Sequence, residues 1–244
     1  MTVFFCLPAY NEEAGIRDLL EDIYNQFRDI GEDYKVVVID DGSTDKTGKI
    51  IEYFRYIMPM EIIEHNENKG LGSALNSGMK YISWNGEDDD IIVCMDSDNT
   101  HSPSVVFSML EKIREGNDIV IASRYLPNSK VIGVSLFRKF LSYSARFLFH
   151  IMAPIKGVKD FTCGFRAFRV SIIKKAYQLY NEDFITQDGF ACTDEILLKC
   201  SRITDKITEV PFILRYDLKK TPSKLNLGVT VKETFKLLWK SRKL

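Results

Sequence analysis

Ile91-Ile92-Val93-Cys94-Met95-Asp96-Ser97-Asp98 is an apolar run of strand length that ends on two carboxylates one residue apart. A strand buried on both faces holds its backbone rigid, so acidic side chains at its carboxyl end present fixed oxygens. Such oxygens suit a hard divalent cation that carries a diphosphate. Ordinary turn aspartates after a strand look the same, so the pattern takes its weight from the rest of the chain.

Outward from that run, Val3 to Leu7, Val36 to Ile39, Glu61 to Ile63 and Ile119 to Ala122 are also short and rich in β-branched residues. They are expected as parallel strands, together with Ile91 to Met95. Between them Ile16, Leu19, Leu20, Ile23 and Phe27 recur at helical spacing, as do Ile50, Ile51 and Phe54, then Leu71, Leu75, Met79 and Ile82. The alternation predicts an α/β fold: a mostly parallel, Rossmann-like sheet flanked by helices, with ligands beyond the carboxyl ends of the strands.

With 244 residues, 45% of them hydrophobic, the chain can bury one sizeable core. The net charge of −1 gives no field that would gather nucleic acid, and no nucleic-acid-binding signature is present. Cys6, Cys94, Cys163, Cys192 and Cys200 are odd in number, lie mostly in apolar runs and form no Cys-x-x-Cys pair. They read as reduced core residues of a cytosolic protein. Met1-Thr2-Val3-Phe4 lacks the basic region of a signal peptide, and Leu136 to Pro154 is interrupted by Arg138, Lys139 and Arg146. No spanning helix is expected.

Three polar clusters follow the strands. Pro8-Ala9-Tyr10-Asn11-Glu12-Glu13 offers a helix cap at Asn11 and a flat face for a base at Tyr10. Asp40-Asp41-Gly42-Ser43-Thr44-Asp45 offers carboxylates to a base edge. Asn68-Lys69-Gly70-Leu71-Gly72-Ser73-Ala74 brings Lys69 and backbone amides to an anion or simply starts a helix. Each cluster also has a purely local reading as a cap or turn.

Taken in order, with Ala122-Ser123-Arg124-Tyr125, Asp160-Phe161-Thr162-Cys163-Gly164-Phe165-Arg166 and Glu209-Val210-Pro211, these clusters resemble the family 2 glycosyltransferases of the GT-A fold. Within that family they resemble the dolichyl-phosphate mannose synthase-like and other polyprenyl-phosphate sugar synthases, from Phe4 to about Asn226. The resemblance implies that Pro8, Tyr10, Glu12, Asp41 and Ser97 bind a nucleoside diphosphate sugar, GDP- or UDP-linked. It implies that Asp96 and Asp98 hold Mg²⁺ or Mn²⁺ against the diphosphate. Where relatives often carry Gln, this chain has Thr100, whose hydroxyl is a weaker oxygen donor.

The resemblance also places Arg124 at phosphate or sugar oxygens, Glu195 at the donor or acceptor sugar, and Arg138 and Lys224 at the phosphate of a polyprenyl phosphate acceptor. Arg215 and Lys219 compete for one further acceptor-phosphate position. Catalysis is expected to rest on Asp98, Arg124 and Glu195. Val134 to Ala153 mixes Arg138 and Lys139 with Phe140, Leu141, Tyr143, Phe147, Leu148, Phe149, Ile151 and Met152. That suits either an amphipathic helix on a bilayer or a core helix with one cationic face.

The organisation expected is a domain over 1–226, with a nucleotide-sugar half to about 126 and an acceptor half from about 127. A basic amphipathic tail, 227–244, follows as a C-terminal interface helix. The expected activity is inverting sugar transfer by a cytoplasmic protein, peripheral on the inner face of the membrane, with a separate membrane subunit as a partner. Transfer to a hydroxyl of a polysaccharide or lipid-linked oligosaccharide, with Asp194 or Glu195 as base, is the alternative enzyme. A non-catalytic nucleotide-sugar-binding subunit is the alternative of another class.

Overall fold

The computed structural model describes residues 1–29, 31–221 and 227–241; Lys224 lies outside them. Its strands are β1 (Thr2–Ala9), β2 (Asp33–Asp40), β3 (Met60–Glu64), β4 (Ile91–Cys94), β5 (Ile119–Ser123), β6 (Lys130–Ile132), β7 (Arg166–Arg169), β8 (Ile207–Pro211) and β9 (Ile213–Arg215). Its α-helices are α1 (Ile16–Phe27), α2 (Thr47–Phe54), α3 (Leu71–Asn85), α4 (Val105–Arg114), α5 (Leu136–Met152), α6 (Val170–Tyr180), α7 (Ala191–Cys200) and α8 (Leu227–Ser241).

Seven strands form one sheet in the order β3-β2-β1-β4-β7-β5-β8, and β6 pairs with β9 apart from it. All seven run parallel except β7, which is antiparallel to β4 and β5. Val36 to Ile39 and Ile91 to Cys94 are buried throughout, as strands covered on both faces must be. Ile16, Leu19, Leu20, Ile23 and Phe27 give α1 the apolar stripe that packs on the sheet. Strand order reverses between β1 and β4, so the loops after them open a crevice at the carboxyl edge. Pro8–Tyr10 and Asp96–Asp98 border it.

β7 was expected only as part of a sequence box. It is four residues long with arginine at both ends, which hides the strand pattern, yet it pairs Cys94 with Arg166 and Ile91 with Arg169. β7 and β8 enter the sheet that begins with β1, so strands from both expected halves lie in one sheet. Within the expected tail, Thr234, Leu237 and Leu238 of α8 are buried. All five cysteines are buried and free. No helix among the described residues is long and apolar enough to cross a membrane.

Candidate active site

The loops after β1 and β2 are laced together. Asn11 N donates to Ser43 Oγ at 2.9 Å, Thr44 N to Asn11 Oδ1 at 2.8 Å and Glu12 N to Thr47 Oγ1 at 2.8 Å. Asn11 takes a positive φ of 49°, a conformation that asparagine tolerates. Ser97 Oγ donates to Pro8 O at 2.8 Å and so ties the loop after β4 to β1. Pro8, Tyr10, Glu12 and Ser97 therefore share one edge of the crevice.

Asp41 sits in a network of its own. Its Oδ1 accepts from His65 Nδ1 at 2.6 Å and Lys69 N at 2.9 Å, and its Oδ2 accepts from Gly70 N at 2.9 Å. His65 Nε2 lies 2.9 Å from Ser77 Oγ. Gly42, at φ 72°, permits the close approach, because a Cβ there would lie 2.5 Å from the backbone of Glu67. An open cavity of about 330 Å³ adjoins, lined by Asp40, Gly42, Ser43, Thr44, Glu64, His65 and Asn66.

The carboxylate pair is asymmetric. Asp96 has a side chain 44% exposed, whereas that of Asp98 is 9% exposed. Asp98 Oδ1 accepts from Thr100 N at 3.1 Å and Thr100 Oγ1 at 2.7 Å, and its Oδ2 accepts from Lys219 Nζ. Burial pushes the Asp98 carboxyl up, but the Lys219 ammonium and His101 outweigh it and hold the group below the usual range. Partial burial and the Asp98 charge raise Asp96 above its ordinary value, more than His101, Lys219 and Arg124 offset.

Two carboxylates fit a hard cation that takes its remaining oxygens from a diphosphate and water. No cluster of three His, Cys, Asp or Glu suited to a metal occurs among the described residues, so a substrate-completed shell is the arrangement this donor set allows. Thr100, considered as an oxygen donor, instead directs its hydroxyl to Asp98 and is buried.

On the acceptor side the expected residues are held by neighbours within the protein. Arg124 Nε and Nη2 hold Asp160 Oδ2 and Oδ1 at 2.8 and 2.6 Å, and Nη2 also reaches Thr162 Oγ1 at 2.6 Å. Asp160 is wholly buried, and Lys159 N and Asp160 N both donate to Glu209 Oε1 at 2.7 Å. Arg124 thus braces the Asp160 box against the end of β5, with only Nη1 unengaged among the described residues.

Glu195, expected at a sugar or as a base, accepts from Thr186 N, Thr186 Oγ1, Gln187 N and Lys199 Nζ at 2.6 to 3.1 Å. Both oxygens are taken and the residue is buried, so it anchors a loop. Asp194 is buried beside Arg166 and accepts from Thr234 Oγ1 at 3.3 Å, and burial pushes its carboxyl up to about 7.

Arg215 and Lys219 occupy different surroundings. Arg215 pairs with Asp217 at 2.8 Å on the surface, while Lys219 reaches Asp98. Arg138, on the first turn of α5, donates to Tyr216 Oη and lies over that ring at 5.3 Å from its centroid, with Lys219 Nζ 6.0 Å away from it. Lys220 pairs with Asp18 at 2.8 Å, and Thr221 Oγ1 donates to Glu12 Oε2 at 3.3 Å. The segment 215–221 therefore runs across the mouth of the crevice.

α5 turns its apolar side outward: Leu136, Phe140, Tyr143, Phe147 and Ile151 are exposed at helical spacing, and Phe149 is its buried residue. Val231, Phe235 and Trp239 of α8 are exposed in the same way. Of the two sequence readings of Val134 to Ala153, the core helix is excluded.

Sequence reasoning passed over His65, His101 and Tyr216. His101 Nδ1 accepts from Asp96 N at 3.2 Å, and its ring stacks on Phe165 at 5.0 Å. Its place three residues after Asp98 was the available signal. His65 and Tyr216 carry none, because a lone ring after an apolar run looks like packing.

The Glycosyl transferase family 2 model matches residues 4–176. A dolichol-phosphate mannosyltransferase of Pyrococcus furiosus is 33% identical over 87% of this chain, which spans 56% of that protein's length. An undecaprenyl-phosphate mannosyltransferase of Micrococcus luteus is 30% identical over 86% of this chain and 82% of its own. Among solved structures, glucosyl-3-phosphoglycerate synthase of Mycobacterium tuberculosis with Mn²⁺, UDP and glucosyl-3-phosphoglycerate superposes with a TM-score of 0.70 at 20% identity. That match covers all of this chain and 80% of the other, and it speaks for the fold.

Proposed function

We propose a specific reaction for this chain, which belongs to glycosyl transferase family 2 and is a glycosyltransferase acting on a nucleotide sugar. It transfers the sugar of a nucleoside diphosphate sugar, with inversion, to the phosphate of a polyprenyl phosphate at a membrane surface. The Pyrococcus and Micrococcus relatives, named as dolichol-phosphate and undecaprenyl-phosphate mannosyltransferases, support that acceptor class.

The observation that carries the reading is the run Arg138–Tyr216–Lys219–Asp98, which leads from the exposed apolar stripe of α5 to the carboxylate pair. A lipid held on the stripe would bring its phosphate to Arg138 and Lys219. The acceptor oxygen is already anionic, so it attacks the anomeric carbon without losing a proton, as the bond to the nucleoside diphosphate breaks and that group leaves with the electron pair. Saturation of both Glu195 oxygens favours this over a hydroxyl acceptor, which needs a base. Asp96 and Asp98 would hold Mg²⁺ or Mn²⁺, which when bound neutralises charge on the departing diphosphate. Arg124 Nη1 faces the same task, while its other nitrogens keep it aligned.

The exposed stripes of α5 and α8 support a peripheral station on the membrane, where apolar rings enter the interface and Lys and Arg meet anionic headgroups. The test is incubation of the chain with labelled sugar nucleotides, Mg²⁺ and membranes. Label extracted into organic solvent as an acid-labile phosphodiester is the expected result. Label in polymer would replace the acceptor with a hydroxyl, and binding without turnover would make the chain a non-catalytic subunit.

A further inference from the structure

His65 has no part in the reaction above, yet it is buried between two polar partners. Its Nδ1 lies 2.6 Å from Asp41 Oδ1 and its Nε2 2.9 Å from Ser77 Oγ. A carboxylate only accepts, so the Nδ1 proton points at Asp41, and in the neutral ring Nε2 accepts from Ser77. His65 N also donates to Asp40 O at 2.9 Å, which fixes the ring's backbone to the end of β2.

An ionised carboxylate offers roughly four acceptor positions, two on each oxygen. Among the described residues Asp41 fills three: His65 and Lys69 N occupy Oδ1, and Gly70 N occupies one side of Oδ2. One position on Oδ2 is left. A guanine presents adjacent N1–H and N2–H donors, which pair with a carboxylate through both oxygens. Uracil presents a single N3–H between two carbonyls. Cytosine presents an acceptor at N3, which an anion repels.

We propose that His65 is a positioning residue that sets base specificity: held by Ser77, it closes Oδ1 of Asp41 so that the carboxylate reads one imino N–H and selects a uridine over a guanosine diphosphate sugar. The inference rests on the reading of Asp41 as a contact of the nucleoside. It explains why an aspartate at the crevice is enclosed by three donors and barely exposed. A hydrogen bond to a charged group distinguishes a matched from an unmatched edge by about 10-fold or more.

The test is calorimetric titration of the full chain, with Mn²⁺, by UDP, GDP and N3-methyl-UDP. UDP should bind at least about 10-fold more tightly than either of the others. His65→Leu opens Oδ1 and should bring the UDP and GDP affinities together, whereas His65→Asn, whose amide N–H replaces Nδ1–H, should retain the preference. A purely structural histidine would weaken both nucleotides alike and leave the ratio unmoved, which would overturn the proposal. Equal affinities for UDP and GDP in the unaltered chain overturn it too, whatever the variants do, and leave the nucleotide-sugar reading standing. Binding of none of the three overturns both.

Discussion

The ammonium of Lys219 rests on Oδ2 of Asp98, joining the segment that crosses the crevice mouth to the loop after β4, 121 residues earlier. Asp98 thereby stays ionised despite its burial, while Asp96 beside it remains open to solvent. The two carboxylates consequently respond differently to removal.

Asp96→Ala should lower turnover by about 100-fold or more, as loss of a principal electrostatic stabiliser does, with little change in the urea midpoint. Asp98→Ala should lower turnover as far and also destabilise the fold by about 1–2 kcal/mol, since the partly buried Lys219 loses its charged partner. Initial rates and urea titrations of both variants check this. Equal stability losses would refute the asymmetry.

Asp194 makes stability depend on pH in a direction unusual for an aspartate. Its folded carboxyl stands at about 7, above the 3.8 of an ordinary aspartate, so the native state binds the additional proton between those values. Stability through this group is present at low pH and declines as pH rises from about 4 through about 7. Asp194→Asn, which carries no charge, should flatten that decline. Urea unfolding at pH 5.5 and pH 8 measures it, and a parallel pH response in both proteins would show the carboxyl to be ordinary.

Glu195→Gln should damage stability rather than chemistry, because the carboxylate serves Thr186, Gln187 and Lys199. A loss of about 1–2 kcal/mol is expected, because Lys199 loses its counter-charge but keeps the carbonyls of Asp183 and Phe184. The pH–rate profile above the second phosphate pKa, about 6, should remain flat in both forms. A new pH-dependent limb in the variant would restore Glu195 as a base.

Phe140→Glu combined with Phe147→Glu places two charges on the exposed stripe of α5. Co-sedimentation with anionic vesicles should fall at least 10-fold, and that of the unaltered chain should fall with rising salt. Binding of nucleotide sugar should be unchanged. If the unaltered chain remains in the supernatant at low salt, the peripheral station is wrong.

The parallel core was legible because Val36–Ile39 and Ile91–Cys94 are continuous apolar runs, and Asp96 and Asp98 were legible as an end to one of them. β7 was not, because Arg166 and Arg169 break the apolar pattern while Arg166 is nevertheless buried and donates to Thr193 O and Phe161 O. Glu195 and Arg124 took their expected roles from the family resemblance, which does not say what else holds them. The Glu195–Lys199 pair sits at i,i+4 on α7 and was readable as a helical ion pair, whereas Asp160 meets Arg124 through a tertiary contact that no spacing rule encodes. The exposed side of α5 was likewise undetermined, since an amphipathic pattern states that two faces differ and not which one meets the protein.

The insertion of β7 also sets a timetable for synthesis. β1, β2 and β3 can assemble once residue 64 has emerged, and β4 can join β1 by residue 94. The other edge of β4, all apolar, then waits until residues 166–169 arrive, about 75 residues later. A nascent chain halted in that interval displays an open sheet edge, the kind that recruits other strands. Fragments ending between β4 and β7 are thus the species from which self-association begins, and β7 is the strand that ends the hazard.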